Sequence, residues 1–404
     1  MDLIQPAVLI FVCLLCHFGL EGRNVDFADR TFVSVWNAPS AICESKFGVQ
    51  LDLSYFDIVA NHNETFEGEE IVIFYGSSLG LLPSIDAHGK FIHGGLPQLA
   101  NITAHLAKVA RDVEHYMPSV DFTGLAVIDW ESWRPIFARD NYNQGMRRYI
   151  QASENLVRKL HPDWSKKKIE NEARKEFETA ARLSWLFEAS TSLYPSIYLT
   201  ESGTPTDRYK HVYGQLKEAL RVKKKYGGKY LPIAPYSKFR HDTGKFYSQA
   251  DLNNTILQAA EAGLNAIVLW GSLASFRSAR DCEQTRAYLD STLGPFIKNV
   301  TITARNCSDE LCNSHGRCFK TDWNYKSNTP DTLFFESATK RFFAKLLEKL
   351  LGTIIDAFVS IRRTIGDTHV AESDRFGELC QRYSEFSCDC FKGWTGQYCQ
   401  QITT

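Results

Sequence analysis

The sequence predicts an α/β fold, a TIM-like (β/α) barrel that lacks one βα rung and is followed by a small disulfide-rich domain. Three observations predict it. Between Phe32 and Val300, short β-branched or aromatic runs alternate with polar, helix-like stretches, the pattern of parallel βα units. Most of these runs end in a residue with a functional side chain. After residue 303 the cysteines crowd together at close spacing.

The runs are Phe32–Trp36, Ile71–Tyr75, Leu125–Asp129, Ser196–Leu199, Tyr230–Ile233 and Ala266–Trp270. Asn37, Tyr75, Asp129 with Glu131, Tyr198, Tyr236 and Trp270 fall at or just past their ends. In a (β/α) barrel those ends meet at one mouth, so they would form one site. Between the third and fourth runs, Asn143 to Ser190 reads as helix broken only at Pro162. Two helices then follow one another with no strand between them. A closed barrel needs a rung at that place.

The chain has 404 residues, 44% hydrophobic and 23% charged, which suits one large domain and a smaller one. With 46 basic against 47 acidic residues, no global charge favours nucleic acid, and none is expected as a partner. The basic triplets Lys166–Lys168 and Lys223–Lys225 read as solvated helix faces, or as attractors of a polyanion.

Residues 1–22 read as a signal peptide, with the apolar run Ala7–Cys16 too short to span a bilayer. Asp2, in an n-region without a basic residue, leaves a retained anchor as the alternative. No later run of 18 apolar residues exists, so no stable membrane span is expected. The expected destination is the extracellular space or the lysosome, through the secretory pathway. Sequons at Asn63, Asn101, Asn253 and Asn299 agree with that route.

Export predicts oxidised cysteines. Once Cys13 and Cys16 leave with the signal peptide, C-x4-C-x5-C (Cys307, Cys312, Cys318) and C-x-C-x8-C (Cys388, Cys390, Cys399) stand out, with Gly393, Trp394 and Gly396 in the last loop. This pattern resembles an EGF-like module. The resemblance implies the pairs Cys307–Cys318, Cys312–Cys388 and Cys390–Cys399. Cys43 and Cys282 then pair across the main domain, and Cys380 is left over. The module is interrupted by an insert at about 319–387, whose Phe334–Ile365 stretch has apolar residues at helical spacing. That stripe reads as packing on the main domain, or as a surface for a partner or membrane.

Asp129 and Glu131 lie two apart on a strand, so their side chains point to the same side. Two such close carboxylates repel each other's ionisation, which keeps one protonated near neutral pH. A glycosidase needs that proton to release its leaving group. A D-x-E triplet also reads as two surface carboxylates or a helix start. Here an apolar strand leads in, Trp130 and Trp133 flank the pair, and Arg134-Pro135 follow, which favours catalysis. The aromatics, taken singly, read as packing; at strand ends they read as a cleft lining.

Ala126–Pro135 (AVIDWESWRP) resembles the active-site strand of the hyaluronidase family of glycoside hydrolases. Phe32–Pro39, Ile73–Gly80, Gly94–Gln98, His161–Trp164, Leu193–Leu199, Val268–Gly271 and Leu289–Pro295 are similar too, in family order. The resemblance implies retaining endo-hydrolysis of β-1,4 bonds after N-acetylhexosamine in hyaluronan or chondroitin, with no metal and no cofactor. The substrate's own acetamide oxygen would attack, an exception to the two-carboxylate scheme. Glu131 is implied as acid and base and Asp129 as the residue that orients the acetamide. Tyr75, Tyr198, Tyr236 and Trp270 match cleft positions. The sequence departs from the family at two places. After Ala180-Ala181-Arg182 a further strand with a site tyrosine is absent, and Gln215 stands where relatives often carry an arginine.

The expected domains are a barrel over 23–303 and an EGF-like module over 304–404. Three functional readings stay open: an active hydrolase, a catalytically silent glycosaminoglycan-binding protein, and a defective isoform lacking a barrel strand.

Overall fold

The computed structural model describes residues 27, 29–61, 63–117, 119, 122, 124–130, 144–323 and 384–403. The expected signal peptide, Glu131, Cys380 and the helix-like stretch Phe334–Ile365 lie outside them.

The centre is parallel sheet. Strand β1 (Val33–Asn37) is buried along its whole length, and lies between β2 (Ile58–Val59) and β8 (Ala266–Trp270), all parallel. β7 (Tyr236–Lys238) pairs with the other edge of β8. Strand β3 (Ile71–Tyr75) pairs in parallel with β6 (Leu125–Asp129), in a register that sets Tyr75 opposite Asp129. Asn61 joins the two sets. Its buried amide donates to Ile71 O and accepts from Ile71 N and Glu70 N, each at 2.9 Å, so one side chain takes the place of a strand partner.

Two of the expected strands differ from the sequence reading. The fifth lies at Tyr236–Lys238 rather than Tyr230–Ile233, and Ser196–Leu199 is no continuous strand. Prolines explain both. Leu193 N donates to Pro232 O and Ile197 N to Tyr236 O, both at 2.9 Å, while Ala234 N and Tyr236 N donate back. The parallel ladder therefore skips the rung where Pro195 has no N–H to give. Pro232 and Pro235 interrupt the facing segment in the same way.

Side-chain alternation sorts the core into two layers. Val33, Val35, Ile71, Ile73, Val127, Tyr236, Ala266 and Val268 pack together on one side of the sheet. Trp36, Ile267 and Leu269, from the alternate positions, face the helices. Those helices include α6 (Pro205–Val222), α7 (residues 249–261, with a π-helical turn at Asn253–Leu257) and α8 (residues 279–311, with one at Leu289–Leu293). They supply Leu216, Ile256 and Ile297, all fully buried. Among the described residues between β6 and Leu193, the helices Gln144–Leu160, Lys166–Ala180 and Ser184–Ala189 follow one another without a strand.

Among the described residues, β6 has β3 as its only strand partner, and Leu193–Ile197 pairs only with the segment before β8. The outer face of β3 is covered, with Val72 and Phe74 packed against Val109 and Val113 of the helix Ile102–Tyr116. On β6 the outward Ile128 is 41% exposed, whereas the inward Val127 is 5% exposed. Ile128→Ala is accordingly expected to cost under about 1 kcal/mol. Ile73→Ala, at a fully enclosed site, is expected to cost ~2–5 kcal/mol. Denaturant titration of the two variants checks the difference.

α8 runs across residues 303–304 and carries Cys307, and Cys312 just past its end, into the C-terminal part. There β9 (Gly316–Lys320) pairs antiparallel with β10 (Phe386–Cys390), and two short strands, Trp394–Thr395 and Gln401–Ile402, close the last loop. The disulfides are Cys43–Cys282, Cys307–Cys318, Cys312–Cys388 and Cys390–Cys399, the pairs expected above. The buried Arg317 ties this part to the main sheet's N-terminal approach, donating to Arg30 O at 3.3 Å. Lys320 reaches Glu261 of α7 at 3.8 Å. Asn63 and Asn101 are exposed, while Asn253 and Asn299 lie half-buried on helices. Among the described residues, no helix is long and apolar enough to cross a membrane.

Candidate active site

Strand periodicity builds the site. Asn37 follows Val33 and Val35, Tyr75 follows Ile71 and Ile73, Asp129 follows Val127, Lys238 follows Tyr236, and Trp270 follows Ala266 and Val268. Each lies two residues on from a member of the inner apolar layer, so the strands carry all five toward that layer's C-terminal end. Register keeps them level. Asn37 is opposite Trp270, Trp270 opposite Lys238, and Tyr75 opposite Asp129.

The tyrosines complete one wall. Tyr75, Tyr194, Tyr198 and Trp270 all pack on the inner layer. The Tyr198 and Trp270 rings are 6.0 Å apart, and Phe66 stacks on Trp270 at 5.9 Å and 14°. Phe66 is held by its carbonyl, which accepts from Ile73 N at 3.0 Å. Tyr236 is placed more deeply than the other expected cleft residues. It is 6% exposed, and its hydroxyl accepts from Asn37 Nδ2 at 3.1 Å. Asn37 Oδ1 is buried, with no hydrogen-bond partner among the described residues.

Burial pushes the Tyr236 phenol well above its ordinary 10.0, with the nearby Tyr194 adding to the effect, and burial likewise raises Tyr194 to about 12. Both groups therefore stay protonated in the folded chain at pH values where the unfolded chain ionises them. Their contribution to stability is full below pH 10 and falls as pH rises through the range between the two pKa values. Stability measured by denaturant titration is expected to fall from pH 10 upward, and less steeply in Tyr194→Phe.

The structure thus brings Tyr75, Asp129, Tyr198 and Trp270 together at one strand end, with Tyr236 one layer below, opposite Val268. Glu131, two residues beyond Asp129, is outside the described residues. Gln215 is exposed on α6. Lys166–Lys168 are exposed near the start of their helix, with Lys168 lying 3.7 Å over the Trp164 ring. Among the described residues, no group of three or more His, Cys, Asp or Glu is arranged to hold a metal ion. Three site residues, Lys238, Phe66 and Tyr194, are not singled out by the sequence reading. Lys238 was hidden because the fifth strand was read too early, and Phe66 because it lies in the turn before β3. Counting the period-two pattern back from the proline-free run Tyr236–Lys238 would have found the lysine.

A carboxylate, an amide and stacked aromatic walls at the C-terminal ends of parallel strands suit a sugar, whose C–H faces pack on rings while its hydroxyls take hydrogen bonds. Comparison with known proteins decides the family. A family model described as hyaluronidase matches residues 23–183 and 181–403. The chain belongs to the hyaluronidase family of glycoside hydrolases. Hyaluronidase-1 of Sus scrofa is 32% identical over 455 positions, covering 99% of this chain and 98% of the relative. Hyaluronidase-1 of Homo sapiens is 32% identical over 98% of each chain. The structure of bee venom hyaluronidase in complex with a hyaluronic acid tetramer is similar at a TM-score of 0.59 and 29% identity, over 67% of this chain and 99% of that one. The family match falls into two pieces that meet at 181–183, and the alignment to the pig enzyme is longer than this chain. Part of the relative's sequence thus has no counterpart here, and the family match divides where the helices Lys166–Ala180 and Ser184–Ala189 adjoin.

Proposed function

We propose that this chain is a secreted endo-hydrolase of hyaluronan or chondroitin that cuts β-1,4 bonds after N-acetylhexosamine with retention. The observation that carries the reading is the shared strand end of Asn37, Tyr75, Asp129 and Trp270, reached two residues before Glu131. Kinship with a bee venom hyaluronidase whose structure holds a hyaluronic acid tetramer supports the substrate class.

In the proposed reaction the acetamide oxygen of the bound hexosamine attacks its own anomeric carbon. The bond to the leaving oxygen breaks as Glu131 donates a proton to it. Asp129 accepts the acetamide N–H and balances the positive charge that develops on the closed ring. Glu131, now a carboxylate, then takes a proton from water, which opens that ring and restores the starting configuration. Tyr75, Tyr198 and Trp270 line the cleft, and Tyr236 fixes Asn37. No metal or cofactor enters the scheme.

The same reading divides the chain into a (β/α) barrel over 23–303, closed except at the absent rung, and an EGF-like module over 304–404. Asn63 and Asn101, both exposed, are the proposed principal glycan acceptors. The single strand partner that β6 and Leu193–Ile197 each have among the described residues favours one second reading, a protein that holds the polymer without cutting it.

A reducing-end assay separates the two. The secreted protein is incubated with hyaluronan and with unsulfated chondroitin, at acid and neutral pH. New reducing ends support hydrolysis and name the polymer. Retention of polymer by folded protein that releases no ends supports the second reading.

A further inference from the structure

Lys238 is the last residue of β7, directly opposite Trp270 in the sheet. Its ammonium lies 4.9 Å from the centre of the Tyr198 ring and 5.5 Å from that of Trp270. It donates to Asp242 Oδ1 at 2.6 Å. The lysine side chain is only 17% exposed, while that of Asp242 is 87% exposed.

A lysine in this setting is already ordered. Its stem is covered by aromatic surface, and its charge faces two rings whose electron-rich faces attract cations. An ammonium has three donors. Asp242 takes one and is its sole ion-pair partner among the described residues. That partner is screened by water and holds weakly. Other cations on neighbouring elements are engaged elsewhere: Arg208 with Asp251 at 2.7 Å, and Arg240 with Asp281 at 3.7 Å. Among the five residues that share the inner strand end, Lys238 alone is a cation.

We infer that Lys238 is a specificity-determining residue that binds the carboxylate of a substrate uronate, with Tyr198 and Trp270 fixing its position and Asp242 holding the charge until substrate arrives. The inference rests on the proposed glycosaminoglycan substrate. It assigns to β7 the cationic contact that Gln215 does not supply, and explains why a cleft otherwise built of aromatics and an acid can accept a polymer with a carboxylate on every second sugar.

The test compares native hyaluronan oligosaccharides with their uronate methyl esters, which keep the shape and lose the charge. Affinities are measured by titration calorimetry on the secreted full chain in a Glu131→Gln background, so that the ligand is not cut. The native oligosaccharide is expected to bind about tenfold or more tightly than the ester, as for other hydrogen bonds between charged groups. Lys238→Met, which keeps the apolar stem, should remove most of that preference, and Lys238→Arg should keep it. Asp242→Asn should enlarge it by freeing the ammonium. Lys238→Met weakening both ligands equally, or leaving the preference intact, overturns the inference. If Lys238→Met is not secreted, Asp242→Asn decides, since its exposed site does not affect folding, and an unchanged preference overturns the inference. Unsubstituted protein that neither binds nor cuts either polymer sinks the proposed function and the inference with it. Unsubstituted protein that cuts, with the preference indifferent to Lys238, sinks the inference alone.

Discussion

Glu131→Gln is expected to lower kcat on the cleaved polymer by roughly 10²–10⁴-fold, with KM little changed. Glutamine keeps the shape and hydrogen-bonding reach of the side chain, but it has no proton to give to the leaving oxygen and no carboxylate to activate water. Asp129→Asn is expected to lose about 10²–10³-fold in kcat, because in the proposed reaction it would still accept the acetamide N–H while losing the charge that opposes the developing cation. Asp129 ends the inner face of β6 opposite Tyr75, so Asp129→Asn leaves the apolar layer below undisturbed. Reducing-end kinetics on both variants, with secretion and thermal unfolding as controls, measure this. Activity that survives Glu131→Gln undiminished would remove Glu131 from the reaction.

The largest effect on stability is expected at the disulfide Cys43–Cys282. It joins residues 239 apart in sequence, linking the helix after β1 to the start of α8, and both cysteines are fully buried. Opening so long a loop restores much conformational freedom to the unfolded chain. The double variant Cys43→Ala/Cys282→Ala is expected to lose ~2–5 kcal/mol. The pairs of the C-terminal part close shorter loops, 11 and 9 residues apart for Cys307–Cys318 and Cys390–Cys399. Chain entropy then makes their removal cost less. Calorimetry or denaturant titration of the secreted variants checks the ranking. A Cys43→Ala/Cys282→Ala protein as stable as the parent would show that the packing around the pair, with Trp36, Phe239 and Ile297 in the same cluster, carries the stability alone.

Much of the site was legible before any fold. Ile71–Tyr75, Leu125–Asp129 and Ala266–Trp270 announce themselves as parallel strands because both faces are apolar, and the change to a polar or aromatic residue marks their ends, although the structure buries both faces of the first and third only. Tyr75, Asp129 and Trp270 were found for that reason. Tyr198 is legible in a run, Ser196–Leu199, of which only Ser196 forms a bridge, since Pro195 removes a rung without moving the chain.

By itself the sequence determined the parallel βα alternation, the acidic pair that begins at the end of β6, the cysteine spacing and the helical pattern before Leu193. Each is local, written in runs of a few residues or in fixed intervals, and periodicity or spacing suffices to read it. Only the tertiary structure decided that Tyr236 is buried against Asn37, that Phe66 stacks on Trp270 and that Lys238 faces two rings beside a weak partner. It also decided which strands pair among the described residues. Those facts depend on register between segments far apart in the chain and on which of two strand faces the core covers. A one-residue slip in either would leave every local pattern intact and reverse the direction of each side chain.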